Sequence, residues 1–381
     1  MRPVVSDFIA GMDAQLAEIA DTPLEKAVSL PGSFYTSPAW FEHEVETLLK
    51  HQWHCLGRAD ELPQPGDYFT TQLFNEPLLV VRGDDGGIRV LSNVCRHRGM
   101  PVAQGSGSTR RFVCSYHAWS YNRDGGLANA PRMRDKGVVK AACGLPEFRS
   151  EIWNGFLYAN LDDDAPVLST ELGTLENLLE NYRTADMRFV HVAEEDWRTN
   201  WKCLVENFME SYHLSIVHPE TLHSYTPTGL SRKALADETF TSYCANYPDN
   251  IPSRGAGAPG LGDEERKRST LFCLYPTQVA SQAASLLVSL SLQPLAVDHV
   301  RVRWTMSVYG DDLTQDEIDD RIRLWTEVNR EDREKLERMQ SALGSRNALS
   351  GPLAPPDYEG TVWDFYQFLA RGMQPKRLTS D

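Results

Sequence analysis

The stretches Cys95-Arg-His97 and Cys114-Ser-Tyr-His117 decide the fold of this 381-residue chain. Each stretch offers one thiolate and one imidazole, and sixteen residues separate the two stretches. Short β-strand patterns, bounded by Gly, Pro, Asn and Asp turns, surround them between residues 68 and 160. We therefore predict that the four side chains project from two loops of a small antiparallel β domain.

Two thiolates and two imidazoles form the ligand set of a Rieske [2Fe–2S] cluster, in which two histidines replace two cysteines on one iron. Structural zinc is the alternative, because a Cys2His2 set also suits Zn2+. Zinc fingers usually pair Cys with Cys and His with His, whereas each stretch here pairs one Cys with one His. The pattern favours the cluster, with Cys95, His97, Cys114 and His117 as ligands.

A second group of candidate ligands lies in Glu206-Asn-Phe-Met-Glu210-Ser-Tyr-His213-Leu-Ser-Ile-Val-His218-Pro219. Glu210 and His213 are three residues apart, so we expect both on one face of a helix. His218 converges with His213 only where that helix ends, and Pro219 favours such an end. The two imidazoles are therefore either a polar pair or ligands of a non-haem metal.

Asp332 is the carboxylate that would complete this second site. It lies within the longest helical pattern of the chain, residues 314–344, on a largely apolar stripe with steps of three and four. A buried carboxylate is costly unless it is paired or bound to a metal, so a salt bridge is the alternative. Together with two histidines it forms a set that leaves open positions on Fe(II) for O2.

Composition excludes several classes of protein. The net charge of −15 argues against a nucleic-acid partner. Seven cysteines without framework spacing argue against a disulfide-stapled secreted fold. No apolar stretch is long enough to span a bilayer, and the N-terminus lacks the apolar core of a signal peptide. We expect a cytoplasmic protein with neither a membrane nor a nucleic acid as partner.

In combination these motifs resemble the catalytic α subunits of Rieske non-haem iron oxygenases, from about Pro31 to Leu343. The resemblance implies an α+β fold, in which an antiparallel β Rieske [2Fe–2S] domain is inserted in a helix-grip (START-like) catalytic domain with an antiparallel sheet. The implied boundaries are 1–37 for an N-terminal helical segment of the catalytic domain, 38–165 for the Rieske domain and 166–381 for the catalytic mononuclear iron domain.

The resemblance also implies the roles of the site residues. His213, His218 and Asp332 would hold the mononuclear Fe(II), and the Cys-x-His stretch and the Cys-x-x-His stretch would together hold the cluster. In the homotrimer that the resemblance implies, Glu210 would bridge the two centres, between His213 and His117 of the partner subunit. A carboxylate that only orients the His213 ring is the competing interpretation of Glu210.

The implied activity is that of a terminal oxygenase component. It would use O2 and electrons from NAD(P)H, passed on by a separate reductase directly or through a ferredoxin, to hydroxylate or N-demethylate a small organic substrate. Glu rather than Asp at position 210, and the segment 330–340, resemble members that act on quaternary ammonium compounds. The alternatives are a ring-hydroxylating dioxygenase or monooxygenase for an aromatic acid or hydrocarbon, and a non-catalytic Rieske electron carrier.

The following aromatic residues are candidates for the substrate pocket or for ordinary core: Phe208, Tyr212, Tyr225, Tyr275 and Trp304.

Overall fold

The computed structural model describes residues 2–133, 136–137, 140–253, 255–310 and 313–374. The chain forms two compact units. Unit 1 contains Met1–His54 and Pro166–Asp381, and unit 2 contains Cys55–Ala165. In the described part of the chain, no helix combines the length and the apolar character that crossing a bilayer requires.

Unit 2 is built mainly from β-strands. Seven of them form a sheet in the order β1-β10-β9-β4-β3-β2-β5, and three form a smaller sheet in the order β6-β7-β8. The strands predicted from the sequence in this region are confirmed. The bounds are β1 (His54–Arg58), β2 (Asp67–Leu73), β3 (Glu76–Arg82), β4 (Ile88–Ser92), β5 (Ser106–Ser108), β6 (Phe112–Val113), β7 (Ser120–Tyr121), β8 (Leu127–Asn129), β9 (Glu147–Trp153) and β10 (Phe156–Asn160).

The hairpin between β9 and β10 shows how the sequence sets the register. Asn154 and Gly155 both have positive φ, 48° and 78°, as a type I′ turn requires. Trp153 therefore lies directly opposite Phe156. A side chain at Gly155 would also collide with the buried guanidinium of Arg58, because a Cβ there would lie 2.5 Å from Arg58 Nη1. Glycine is thus required at this turn for both conformation and space.

Unit 1 combines a seven-stranded antiparallel sheet, in the order β11-β17-β16-β15-β14-β13-β12, with helices. The strands are β11 (Arg188–Trp197), β12 (Ser231–Ala236), β13 (Phe240–Asn246), β14 (Arg268–Leu274), β15 (Gln278–Gln282), β16 (Leu286–Ala296) and β17 (His299–Val308). The helices are α1 (Arg2–Asp21), α2 (Ser33–Thr36), α3 (Pro38–Thr47), α4 (Gly173–Leu179), α5 (Trp201–Met209), α6 (Leu214–Val217), α7 (Asp263–Arg266), α8 (Gln315–Leu343) and α9 (Pro356–Met373).

Short 3-10 turns connect these elements in both units. They lie at Leu24–Lys26, Leu49–His51, Ala59–Glu61, Lys140–Cys143, Leu168–Thr170, Glu180–Tyr182, Thr184–Asp186 and Thr228–Leu230.

Helix α3 belongs to unit 1, although the sequence analysis assigned residues from 38 onward to the Rieske domain. The reason is a buried polar cluster. Lys202 on α5 donates to both carboxylate oxygens of Glu44 on α3, at 2.6 and 2.9 Å. Trp40 Nε1 donates to the same carboxylate at 2.7 Å. A buried ion pair is stable only when its remaining hydrogen bonds are made, so this cluster ties α3 to α5.

Helix α5 carries the second candidate site and lies against β14, β15 and β16. It begins after Asn200, whose side chain accepts a hydrogen bond from the Lys202 amide. An asparagine at this position satisfies one of the free amides of the first turn. Helix α8 begins similarly, with a capping box between Thr314 and Glu317. Its predicted helical pattern is confirmed over Gln315–Leu343.

Candidate metal centres

The two Cys/His loops of unit 2, at Cys95–His97 and Cys114–His117, have the same pattern of backbone hydrogen bonds. The amide of Cys95 donates to the carbonyl five residues later at 2.9 Å, and the amide four residues later donates back to the Cys95 carbonyl at 2.9 Å. Cys114 repeats both bonds at 2.8 and 3.0 Å. Gly99 and Ala118 occupy the same place in the two loops, with φ of 74° and 57°. Each loop is therefore a tight turn with the same backbone hydrogen bonds, and the His follows the Cys by two residues in the first loop and by three in the second.

The structure brings the two loops together. The imidazole rings of His97 and His117 approach with centroids 4.6 Å apart, and His97 stacks on Trp119 at 5.0 Å. Cys95 and Cys114 lie in the same buried core, 3% and 2% exposed, and both thiols are free. His97 Nδ1 is buried without a hydrogen-bond partner among the described residues. A nitrogen in this state fits a metal ligand, since a buried polar atom otherwise needs a partner.

Tyr121 is a contributor to this site that the sequence analysis missed. Its hydroxyl lies 3.2 Å from Cys95 Sγ and accepts a hydrogen bond from the Arg96 amide at 3.0 Å. Because that amide supplies the proton in the second contact, the hydroxyl hydrogen is free to point at the sulfur. Burial, and the contact with Cys95, raise the pKa of Tyr121, so the phenol stays a donor. Hydrogen bonds to sulfur are among the features that tune iron–sulfur potentials.

The second candidate site begins where α5 ends. The helix stops at Met209, and Glu210 is already extended, with φ −114° and ψ 150°. The expectation that Glu210 and His213 share one helix face is therefore wrong. Their contact comes instead from a turn, in which the Glu210 carboxylate accepts hydrogen bonds from the Tyr212 amide, the His213 amide and the His213 ring. As expected from Pro219, the next helix, α6, ends just before His218.

The three predicted iron ligands converge. One ligand atom from each of His213, His218 and Asp332 lies within 4.8 Å of the other two. Asp332 Oδ1 is 3.0 Å from His218 Nε2 and 3.6 Å from His213 Nε2. His218 Nε2 and Asp332 Oδ1 are buried and make no hydrogen bond of acceptable geometry with a described residue. These spacings fit a single ion with metal–ligand bonds of about 2 Å.

The partners of the two imidazoles set their tautomers. His218 Nδ1 lies 2.7 Å from Glu331 Oε2, which also accepts from Thr221 Oγ1 at 2.7 Å. His213 Nδ1 contacts the Glu210 carboxylate in the same way. With the proton on Nδ1, each ring presents the Nε2 lone pair to the centre of the site. Carboxylate–histidine–metal arrangements of this kind orient the ligand and raise its basicity.

The sequence analysis missed Glu331 because it assigned the carboxylate on the buried stripe of α8 to the neighbouring Asp332. A helix turns by about 100° per residue, so adjacent residues seldom serve one site. Here Asp332 faces both rings and Glu331 reaches the outer edge of His218. Asn207 was missed too, and its side chain hydrogen-bonds to Asp332.

The charges at this site are mutually supportive. Burial lowers the pKa of His218, but its contacts with the carboxylates of Asp332 and Glu331 outweigh burial, so the net pKa is raised. Burial raises the pKa of Asp332, but its contacts with His218 and His213 outweigh burial, so the net pKa is lowered. The carboxylate is thus ionised and ready to bind a cation.

Several aromatic candidates for substrate contact belong to the core. Tyr275 stacks on Phe368 at 4.4 Å, and Trp304 packs against His191 at 4.6 Å. A small cavity of about 30 Å3 does lie beside α6 and α8. It is lined by Leu214, Leu222, Thr226, Tyr243, Ala245, Ser269, Leu271, Ser281 and Trp325.

Two separate protein families match this arrangement. Residues 52–149 match the Rieske [2Fe-2S] domain, and residues 183–375 match the catalytic domain of the ring hydroxylating alpha subunit. The class of protein is defined by its two domains. One is a β domain with paired Cys/His loops, and the other is an α+β domain with a two-His-one-carboxylate site. The chain belongs to the family of ring-hydroxylating α subunits. The cofactors predicted from the sequence are those of these two domains, and the α+β fold prediction is confirmed.

The glycine betaine monooxygenase oxygenase subunit of Chromohalobacter salexigens is 36% identical over 197 residues, 51% of this chain and 44% of that subunit. The chloroplastic choline monooxygenase of Spinacia oleracea is 27% identical over 89% of this chain and 77% of its own length. A solved quaternary ammonium Rieske monooxygenase, CntA, superposes with a TM-score of 0.81 at 26% identity, covering 93% of this chain and 98% of that one. The chain thus spans about half the length of the first of these relatives.

Proposed function

We propose that the protein is the terminal oxygenase component of a multicomponent Rieske oxygenase that hydroxylates or N-demethylates a quaternary ammonium compound. The observation that carries this proposal is the convergence of His213, His218 and Asp332 in a chain that also carries the paired Cys/His loops. A pure electron carrier needs the loops but not the second set. The similarity to glycine betaine, choline and carnitine-type monooxygenases supports the substrate class.

The proposed ligand sets are Cys95, His97, Cys114 and His117 for the cluster and His213, His218 and Asp332 for the iron. When bound, the two groups would supply single electrons and a site for O2 activation. The chain's own residues would hold both imidazoles of the iron site in the Nδ1–H tautomer and keep Asp332 ionised.

Glu210 is proposed as the link between the centres. Its carboxylate is bound to the His213 ring and to two backbone amides, which fixes its orientation. His117 is exposed on unit 2, and its ring can therefore meet a carboxylate of another chain. We propose a homotrimer in which His117 of the partner subunit meets Glu210. A separate reductase would supply the electrons, directly or through a ferredoxin, and we propose a cytoplasmic location for the assembly.

The balanced reaction is the insertion of one oxygen atom into a C–H bond next to the substrate nitrogen. One O2, two electrons and two protons are consumed, and one water is released. When a methyl carbon is hydroxylated, the C–N bond then breaks and formaldehyde leaves. The mono-oxygenated product therefore distinguishes this activity from arene dihydroxylation, which places both oxygen atoms of O2 on the ring.

A single-turnover experiment tests the proposal. The iron-loaded protein is reduced chemically and mixed with 18O2 and a panel of betaines, carnitine-like ammoniums, choline and aromatic acids. Mass spectrometry should find one labelled oxygen on an ammonium compound, or its demethylated product with formaldehyde. An Asp332→Ala variant with an intact cluster should form no product. Two labelled oxygens on an arene would instead assign a ring dihydroxylase. A content of two irons per chain would assign an electron carrier.

A further inference from the structure

A second cavity in unit 1 concentrates carboxyl groups beside the proposed iron site. It has a volume of about 280 Å3 and lies among α5, α8 and α9. Its lining includes the carboxyl groups of Glu206, Glu210 and Glu359, together with His213 and Lys335. Apolar side chains, among them Leu336, Met339 and Val362, share the walls with these polar groups. A volume of this size accommodates several water molecules near the polar groups. The proposed oxygenase reaction gives Glu210 a role but gives none to Glu206 or Glu359.

Glu206 and Tyr366 both line this cavity. The buried hydroxyl of Tyr35 donates to Glu206 Oε1 at 2.7 Å. The Tyr35 hydroxyl is also 3.5 Å from the hydroxyl of Tyr366, which accepts from the Leu30 amide at 3.4 Å. Both tyrosines are almost fully buried, with exposed fractions of 3% and 0%. The two buried tyrosine hydroxyls therefore hold the Glu206 carboxyl group in place.

The three carboxyl groups share this cavity with His213. Glu206 interacts electrostatically with Glu359, and Glu359 interacts with Glu210 and with His213. Glu210 in turn contacts the His213 ring. Neighbouring carboxylates repel each other and burial disfavours their charge, so a buried carboxyl group in this cavity is expected to retain its proton near neutral pH.

The surroundings place that proton on Glu206. Burial raises the pKa of Glu206 to about 8, and the negative charge of Glu359 raises it as well. The hydrogen bond from Tyr35 and the positive charge of Lys202 act in the opposite direction. Lys202 is itself neutralised by Glu44. The titratable groups around Glu206 are Tyr35 of α2, Lys202 and Cys203 of α5, Lys335 of α8, and Glu359 and Tyr366 of α9.

We propose that Glu206 is the proton store of the oxygenase reaction and that its proton reaches the iron site through the cavity, past Glu359 and Glu210. This inference rests on the proposed function, whose balance requires two protons for each oxygen atom inserted. In the proton-transfer step, the O–H bond of the Glu206 carboxyl breaks, the proton moves into the cavity, and the carboxylate takes up a new proton from solvent. No electrons are transferred in this step.

Single turnover of the chemically reduced full-length protein tests the role of Glu206. Between about pH 6 and about pH 9, product formation should slow as the pH rises through the pKa of Glu206, because the donor loses its proton. Glu206→Gln keeps an acceptor for the Tyr35 hydroxyl but has no acidic proton. It should react about 100-fold more slowly and lose this alkaline decline, while both metal centres stay loaded.

Two further variants separate proton donation from a structural role. Tyr35→Phe removes a hydrogen bond that favours the carboxylate, so the alkaline decline should move to higher pH. Glu176→Gln changes an exposed acid of α4 and should keep the wild-type pH profile. A Glu206→Gln variant with the wild-type rate and the wild-type decline would overturn the proposal.

Infrared spectroscopy gives a readout that does not depend on turnover. The wild-type protein should show the carbonyl stretch of a protonated carboxyl group that disappears as the pH rises past about 8, and Glu206→Gln should lack it. If this band is absent or survives the substitution, Glu206 is not the store. If the band behaves as expected but no substrate gives product, the proposed function fails and the donor role fails with it.

Discussion

At the scale of single residues, the outer partners of the two imidazoles decide how well the iron site binds metal. Glu331 holds the proton on His218 Nδ1, and Thr221 holds Glu331 in turn. Glu331→Gln keeps a hydrogen-bond acceptor but removes the charge that raises the basicity of the ring. Iron affinity should therefore fall about 10- to 100-fold.

Anaerobic titration with Fe(II) measures this effect. Glu334→Gln is the matched control, because Glu334 lies one turn along α8 and contacts Arg330 and Arg338 rather than a ligand. Equal affinities for the two variants would contradict a role of Glu331 in the site.

Glu210 makes the corresponding contact with His213 but is expected to do more. If it carries electrons between the centres, Glu210→Gln should lose turnover while both metals stay bound. A carboxylate that only orients His213 would instead lower iron affinity, as Glu331→Gln does. Iron content and single-turnover rate, measured together on the two variants, distinguish these roles. Unchanged turnover in Glu210→Gln would remove Glu210 from the mechanism.

At the scale of elements, helix α8 is long enough that its first turn can be destabilised without affecting the proposed ligand Asp332. Thr314 caps the first turn and forms a box with Glu317. Asp332 lies 18 residues further along, about 27 Å at 1.5 Å per residue. Thr314→Ala should destabilise the first turn by about 1 kcal/mol and leave iron affinity unchanged.

Hydrogen exchange measures this local effect, since about 1 kcal/mol corresponds to about fivefold faster opening of the first-turn amides. Thr326→Ala is the control. Thr326 is exposed in the middle of the same helix and donates only to the Ile322 carbonyl. Because alanine has the higher helix propensity, this variant should not accelerate exchange. Equal protection in both variants would show that the capping box does not hold the helix end.

At the scale of the whole molecule, the two proposed metal centres belong to different units. The four candidate cluster ligands lie in unit 2, and the three candidate iron ligands lie in unit 1. Cys114→Ser should therefore abolish the visible absorbance of the cluster and remove two irons per chain, while the mononuclear iron stays bound. Cys143→Ser is the control, because Cys143 lies in the same unit but outside both loops.

Iron analysis and absorbance spectra check this pair of variants. Loss of all iron from Cys114→Ser would mean that the units depend on each other for folding. Loss of the cluster from Cys143→Ser would mean that the ligand assignment is wrong.

Local chemistry determined much of this protein in advance. Residue types and short-range spacing, which the sequence displays directly, predict four features. These are the two Cys/His pairs, the strands around them, the long helix α8 and its buried Asp332. The helix end just before His218 also followed locally, because Pro219 disfavours a helical conformation at the residue that precedes it.

Tertiary structure decided the rest, because those contacts join residues far apart in the chain. The Glu44–Lys202 pair, 158 residues apart, places α3 in unit 1. The Tyr35–Glu206 hydrogen bond spans 171 residues and fixes one carboxyl group of the carboxyl-lined cavity. Periodicity showed which face of α8 is buried, but it could not show that Glu331 reaches His218 or that Tyr121 reaches Cys95. Such contacts depend on how packed elements are positioned, which residue spacing within one element does not encode.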